Sequence, residues 1–203
     1  EQAVTTGFVD LTQGRPNRGG DVNKMAYTLG IPEDRTTLED NATAALGGNT
    51  VCVIDMVNAY STIANEGVAH PWYVVKSVKS AITGKTLYNR PDDSAEVLDP
   101  DIAADTSYTM QQVVNSGTGR AALGLGRPAA GKTGTTTIAK DQVSSAWFVG
   151  YTPQIATGVM YVRGKWQEQL DGWLPEYFGG SYPARTWTAI MQSLMQGLPV
   201  EQF

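Results

Sequence analysis

The stretch Gly126-Arg127-Pro128-Ala129-Ala130-Gly131-Lys132-Thr133-Gly134 decides how this chain is read. From Gly126 to Thr133 it satisfies G-x-x-x-x-G-K-T, a phosphate-binding loop that cradles a nucleotide. It also ends in Lys132-Thr133-Gly134, continued by Thr135, which places a cation and two hydroxyls on a short β-prone run. The two readings lead to unrelated chemistry, and the flanking residues separate them.

A phosphate loop follows a buried strand and opens a helix, whose free N–H groups bind the phosphates. Upstream, Ser116-Gly117-Thr118-Gly119 and Gly124-Leu125-Gly126 are loop chemistry, with no Val or Ile run. Downstream, Gly134-Thr135-Thr136-Thr137-Ile138 disfavours a helix and favours a strand. Pro128 removes an N–H that such a cradle would use. The apolar run Trp147-Phe148-Val149-Gly150-Tyr151 contains no Asp for magnesium. A P-loop NTPase is therefore the weaker reading.

The alternative places Lys-Thr-Gly on a strand over Thr133–Ile138, turning at Ala139-Lys140-Asp141-Gln142 into a second strand over Val143–Thr152. Pro153 closes that strand, and a third spans Ile155–Val162. Both alternating sets of the third strand are apolar, which predicts burial on both faces. Short connections imply an antiparallel meander. A strand edge can hold an acyl substrate as an added strand. Lys132 would supply positive charge beside a nucleophile, and the hydroxyls of Thr133 and Thr135 would bind a carboxylate. Gly134 allows close backbone approach, and the Thr135 N–H is a candidate oxyanion donor.

With these residues in place, the chain resembles the transpeptidase domain of class A (bifunctional) penicillin-binding proteins. Five blocks carry the resemblance, in the family's order. They are Ala45-Leu46-Gly47-Gly48 with Val51; Ala59-Tyr60 with Ala64-Asn65-Glu66-Gly67; Ser116-Gly117-Thr118-Gly119-Arg120-Ala121; Ala130-Gly131-Lys132-Thr133-Gly134-Thr135-Thr136; and Ala146-Trp147-Phe148-Val149-Gly150-Tyr151-Thr152-Pro153. The match runs from about Asp21 to the C-terminus. The family's nucleophile motif S-x-x-K and its S-x-N motif do not occur in these residues. Ser145 stands where the family usually has Asp, and Cys52 where it usually has Ser or Thr.

The resemblance implies an α/β (α+β) fold: an antiparallel sheet covered by helices with a helical subdomain, β-lactamase/transpeptidase-like, its N-terminal part missing. It implies a peptidoglycan D,D-transpeptidase that cross-links stem peptides through a serine acyl-enzyme and is acylated by β-lactams, making it an antibiotic target. Lys132 would serve electrostatics and proton transfer, Thr133, Gly134, Thr135 and Thr136 would bind substrate, and the Thr135 N–H would face the oxyanion. No cofactor or metal is implied. The serine, its lysine and S-x-N would come from an upstream segment or a second polypeptide, which would also supply the strand paired with Ile155–Val162. Without that strand an apolar edge is exposed, so the chain is expected to fold only with the upstream segment. The resemblance places the protein at the outer face of the bacterial cytoplasmic membrane, anchored by an N-terminal segment. A D,D-carboxypeptidase or β-lactamase-like serine hydrolase stays open, as does a non-catalytic wall-binding module.

The 203 residues suit one domain with a good core. The expected division is an arm or loop at 1–20, a helical subdomain with a hairpin at 21–128, and the K-T-G sheet with the last helix at 129–203. A net charge of −5 argues against nucleic acid as a partner. There is no secretory signal and no long apolar run, and a single cysteine excludes an internal disulfide.

Helices are expected from Asp21 as cap to Leu29, from Val53 to Asn65, from Asp99-Pro100-Asp101 to Gly117, and from Pro183 to Gln196. The third should turn Ile102, Thr106, Met110, Val113 and Val114 inward, and the last Trp187, Ile190, Met191 and Leu194. Pro71–Asn89 reads as a hairpin entered through Tyr73-Val74-Val75. Gly164–Tyr182 reads as a loop whose aromatics, Trp166, Trp173, Tyr177 and Phe178, cover the sheet end or contact a substrate. His70 reads as a surface residue, Cys52 as a small buried side chain, and Arg120 as either solvated or supporting the K-T-G strand. Asp92-Asp93 has no carboxylate partner at metal-site spacing.

Overall fold

A computed structural model describes residues 19–203 apart from 35, 37, 40–43, 45, 46, 48, 140, 141 and 165–167; of residues 19, 20 and 139 only the backbone is described. The expected arm at 1–20, most of the Ala45–Gly48 block and the side chain of Trp166 therefore lie outside the described residues.

The centre of the fold is a three-stranded antiparallel sheet in the order β5-β6-β7. Its strands are β5 (Ala130–Ala139), β6 (Gln142–Tyr151) and β7 (Ala156–Val162). The meander read from turn spacing is thus present, with β5 beginning earlier than expected. Register pairs Lys132 with Val149, Gly134 with Trp147 and Thr135 with Ala146, then Phe148 with Val159 and Val149 with Gly158. Before β5 come α1 (Gly19–Thr28), α2 (Val53–Ala64), β1 (Val68–Ala69), β2 (Ser77–Lys79), β3 (Thr86–Asn89), β4 (Ala95–Glu96), α3 (Pro100–Asn115) and a 3₁₀ helix over Arg120–Leu125. The last helix is α4 (Tyr182–Leu194).

Paired residues of an antiparallel ladder share a face, so the sheet's two sides can be assigned. Phe148, Gly150 and Thr157 face α4. A side chain at Gly150 would run into the Trp187 ring, so glycine makes room for the indole. Trp187 is fully buried, with its ring 5.2 Å from Phe148 edge-on. Its Nε1–H is shared between the carbonyls of Gly150 at 3.3 Å and Thr157 at 3.2 Å. Val149 and Gly158 face the other way, where Val53 and Val57 of α2 pack on Gly158. Strand β6 is buried on both faces between these helices, as its nearly unbroken apolar sequence requires.

Several helix faces differ from expectation. In α3 the buried residues are Ala103, Ser107 and Val114, while Ile102 is 54% exposed. The small residues, not the large ones, let α3 approach the sheet. There Ser107 Oγ lies 2.9 Å from the Tyr151 hydroxyl, which also donates to Met110 Sδ at 3.6 Å. In α4, Trp187 and Met191 are buried as expected, but Ile190 and Leu194 are exposed; Ala184 and Thr188 complete the inner face, with Met195 buried just past the helix end.

Helix ends follow local chemistry. Asp99 caps α3 by accepting from the Asp101 N–H at 2.9 Å, with Pro100 in the first turn. Asp21 lies inside the first turn of α1 rather than capping it, because the helix begins at Gly19. Cys52 occupies the cap position of α2 and is exposed, not buried. The hairpin contains only β2 and β3, and Tyr73-Val74-Val75 is not strand. That leg is held irregularly instead: Trp72 Nε1 donates to Asp55 at 3.1 Å, and the Arg90 guanidinium sits 4.1 Å from the Tyr73 ring while donating to the Pro71 carbonyl. The two-residue pairing of β1 with β4 has no signal in the sequence. Strand β7 is less buried than its composition predicts: Val159 is buried but Met160 is exposed, because β7 is outermost among the described strands.

Two stability outcomes follow. Trp187→Ala removes both the indole between Gly150 and Phe148 and its bridging N–H. It should lower the unfolding free energy of the protein carrying it by about 3–5 kcal/mol, read as a fall in denaturant midpoint at unchanged m-value. Burial pushes the Tyr60 hydroxyl well above its ordinary value, and neighbouring Tyr151 adds to the effect; burial likewise raises Tyr151, against the Ser107 hydrogen bond, which lowers it. With folded-state values raised, the stability these neutral phenols confer is complete below the unfolded value of about 10 and is lost as pH rises beyond it. Unfolding midpoints should therefore decline on the alkaline side of about pH 10, and Tyr60→Phe should flatten that decline.

Candidate active site

Strand β5 carries every residue singled out at the Lys-Thr-Gly motif. Lys132 lies in the interior of a ten-residue strand, not at a helix N-terminus. The phosphate loop is thereby ruled out, since its lysine needs a helix opening behind it. The preceding residues serve another end. Arg127 donates to the carbonyls of Met195, Leu198 and Pro199 at 3.3, 3.4 and 3.1 Å, satisfying acceptors where α4 finishes. Gly126 takes φ 73° as the 3₁₀ helix turns into the strand.

The strand's alternation sorts the candidate residues. Lys132, Gly134 and Thr136 share the face of Val149 and Trp147, while Thr133 and Thr135 share that of Phe148 and Ala146. Lys132 is half-buried, and its Nζ donates to the Thr133 carbonyl at 3.0 Å. Among the described residues no carboxylate is within ion-pair reach of it. Its charge is held beside the strand edge rather than spent on a partner. Thr136 is exposed, and its carbonyl accepts from Ser144 Oγ at 3.3 Å. Ser145 accepts from Trp147 Nε1 at 3.2 Å, so the residue opposite Thr136 fixes the indole beside Gly134.

On the other face, Thr133 Oγ1 is 2.7 Å from Thr118 Oγ1. Thr135 Oγ1 accepts from the Gly179 N–H at 3.2 Å. Two loops thus reach the motif: the Ser116–Gly119 turn after α3 and the turn at 178–181 before α4. The second is closed by the Ser181 N–H and Oγ, both donating to the Phe178 carbonyl at 2.9 and 2.7 Å. Its glycines are required, because a side chain at Gly179 would strike the backbone of Trp147 and Gly134, and one at Gly180 the Thr118 carbonyl. Sequence reading missed Thr118, Gly179 and Gly180 as parts of the site; the signals were the Ser116–Ala121 block, which holds Thr118, and the glycine pair just ahead of a proline-started helix.

Other expected residues stand apart. Arg120 is exposed and has no ion pair among the described residues, which favours the solvated reading. His70 is exposed and borders a cavity of about 260 Å³ with Ser61, Asn65, Gln154 and Ile155. That cavity lies by the β6–β7 turn, at the opposite end of the strands from Gly134–Thr136. In the 164–182 segment, Leu170 is fully buried against Val143 and Ala146, with Tyr177 packed over it, whereas Trp173 and Phe178 are exposed. Among the described residues of this segment, an aliphatic side chain and one aromatic cover this part of the sheet, while Trp173 and Phe178 do not.

The family described as "Penicillin binding protein transpeptidase domain" matches residues 21–192. Among curated proteins, penicillin-binding protein 1A of Mycolicibacterium smegmatis is 31% identical over 219 residues, covering all of this chain and 28% of that protein. Penicillin-binding protein 1A of Mycobacterium tuberculosis is 33% identical over 186 residues, covering 88% of this chain and 22% of that protein. The solved structure of PonA1 from M. tuberculosis superimposes with a TM-score of 0.74 at 28% identity, over 88% of this chain and 50% of that one. PonA1 in complex with penicillin V gives 0.75 at 29% identity over the same shares. The chain thus spans about a quarter of these curated relatives and half of the crystallised chains. With its meander, its helices on both faces and Lys132-Thr133-Gly134 on the outer strand, this chain belongs to the penicillin-binding protein transpeptidase domain family.

Proposed function

We propose that this chain is the Lys-Thr-Gly-bearing part of a serine D,D-transpeptidase that cross-links peptidoglycan stem peptides. The observation that carries this is the composition of β5, outermost among the described strands, with a lysine on one face that has no carboxylate partner among the described residues and two oriented hydroxyls on the other. The serine and lysine of S-x-x-K and the S-x-N residues are absent from these residues, and a separate segment of the protein supplies them. That protein acts on the outer side of the cytoplasmic membrane and is held there by another part of its chain; among the described residues no helix is long and apolar enough to cross a membrane.

The reaction is a two-step acyl transfer. The serine oxygen attacks the carbonyl between the two terminal D-alanines, losing its proton to a neighbouring base. The tetrahedral oxyanion is held by backbone N–H groups, that of Thr135 among them. The C–N bond breaks and D-alanine leaves with a proton. An amine of a second stem peptide then attacks the acyl-serine and releases the serine hydroxyl. Lys132 favours the anionic species of each step by its charge and helps to move the proton. Thr133 and Thr135 bind the carboxylate of the departing D-alanine. A β-lactam presents an equivalent acyl group and carboxylate, but its ring opens without a leaving group, so the acyl-enzyme persists.

Denaturing intact-mass analysis of the native protein, before and after benzylpenicillin, tests this. The polypeptide bearing the serine should gain the whole mass of the drug. Lys132→Ala in the same protein should slow that gain by about a hundredfold or more. No gain of mass in the native protein would end the catalytic reading and leave a wall-binding module. Incubation with a stem peptide and an amine acceptor distinguishes cross-linking from hydrolysis: a dimeric product marks the transpeptidase, and free tetrapeptide alone marks a carboxypeptidase.

A further inference from the structure

We propose that Thr118 and the Gly179 N–H are positioning groups that turn the Thr133 and Thr135 hydroxyls into a matched pair of donors for one carboxylate. The inference rests on the transpeptidase reading and adds to it residues outside the Lys-Thr-Gly strand.

A threonine hydroxyl has one proton and two lone pairs, so by itself it presents either a donor or an acceptor to an arriving group. A carboxylate only accepts. A site for it is preorganised when the hydroxyl's lone pairs are already engaged and its proton is left pointing outward. At Thr135 this condition is met for one of the two lone pairs. The Gly179 N–H can only donate, and it lies 3.2 Å from Thr135 Oγ1. The Thr135 proton is thereby directed away from Gly179 and stays free for a ligand.

At Thr133 the partner is another hydroxyl, 2.7 Å away on Thr118. Either oxygen of that pair can donate when the site is empty. An anion beside Thr133 selects one direction, Thr118 to Thr133 to carboxylate, because the reverse would leave a lone pair facing a negative charge. In such a chain each bond polarises the next. Thr133 and Thr135 lie two residues apart on one strand face, about 7 Å between Cα atoms, within reach of the two oxygens of one carboxylate.

Both supports hang from the same buttress. Gly179 and Gly180 let the turn at 178–181 sit against the Gly134 and Trp147 backbone and under the Thr118 carbonyl. The Ala184 N–H donates to the Gly179 carbonyl at 3.2 Å, tying the turn to α4, which is docked through Trp187. Gly119 packs on Phe148 beneath the Thr118 turn. The orienting groups therefore sit on rigid elements, as precise placement of a donor pair requires.

The test compares acylation of the intact protein, with its serine segment, by benzylpenicillin and by its methyl ester, which lacks the anion. Wild type should favour the acid. Thr118→Val keeps the shape but loses the hydroxyl, and should reduce the acid-to-ester rate ratio about tenfold. Thr118→Ser should restore the ratio. Gly179→Ala, which pushes the turn off the strand, should reduce it in the same direction. If Thr118→Val slows both compounds equally, or leaves the ratio at the wild-type value, Thr118 is a packing residue and the proposal fails while the transpeptidase reading stands. If wild type is acylated by neither compound, the transpeptidase reading fails and the proposal with it.

Discussion

The fold depends on how the Trp187 indole is seated in the sheet. One donor serves two carbonyls, Gly150 of β6 and Thr157 of β7, which face each other in the ladder. The ring fills the space left by the missing side chain of Gly150 and meets Phe148 edge-on. A tryptophan buried this deeply must have a partner for its N–H, and here that partner is the sheet itself. Helix α4 is thereby fixed both in height and in rotation. Everything joined to it inherits that placement: the turn at 178–181 at its start, and the Arg127 side chain that gathers the carbonyls after its end.

That placement explains how an outer strand becomes a site. Edge strands present unpaired backbone groups and tend to be blunted or covered. Among the described strands β5 pairs with β6 alone, and its two faces are put to different uses. Lys132 and Gly134 lie on the face packed by α2, with a charge free of any described carboxylate. Thr133 and Thr135 lie on the face packed by α4, with their hydroxyls held from behind. Had the motif been one residue out of register, the two sets would have exchanged faces and neither would meet its support. Register is pinned by Phe148 and Val149 of β6, which enter opposite cores. The register of the motif is therefore set by apolar packing on the neighbouring strand.

The local parts of this arrangement were legible in the sequence. The meander could be read from β-branched and apolar runs broken by polar turns, and α3 from Asp99-Pro100, whose capping depends only on neighbours. The helix faces were read less well. Choosing the largest apolar residues put Ile102 and Leu194 inside, whereas the structure buries Ala103 and Ser107 where α3 needs to come close to the sheet. Size was the wrong guide because the gap between elements, which sequence does not show, decides how large a buried residue can be. The same holds for Cys52, which is exposed as a cap because the chain enters α2 from the surface.

At the site, the motif was legible and its supports were not. The contacts of Thr118 with Thr133 and of Gly179 with Thr135 span 15 and 44 residues. Nothing in local pattern foretells such pairs, since both are made by turns whose position depends on the docking of α3 and α4. A Gly-Gly pair before a helix looks like loose loop. In place it makes a close backbone approach, possible because no side chain stands between the turn and the backbone of Trp147 and Gly134. The residues that do chemistry can be recognised by type and spacing, while those that aim them are recognised only through the three-dimensional distance they close. In this domain the aiming groups are a threonine hydroxyl and a glycine N–H, which carry no charge and leave no mark in composition. Their effect comes from direction, because a donor bound to one lone pair of a hydroxyl leaves its proton free to turn toward an arriving carboxylate.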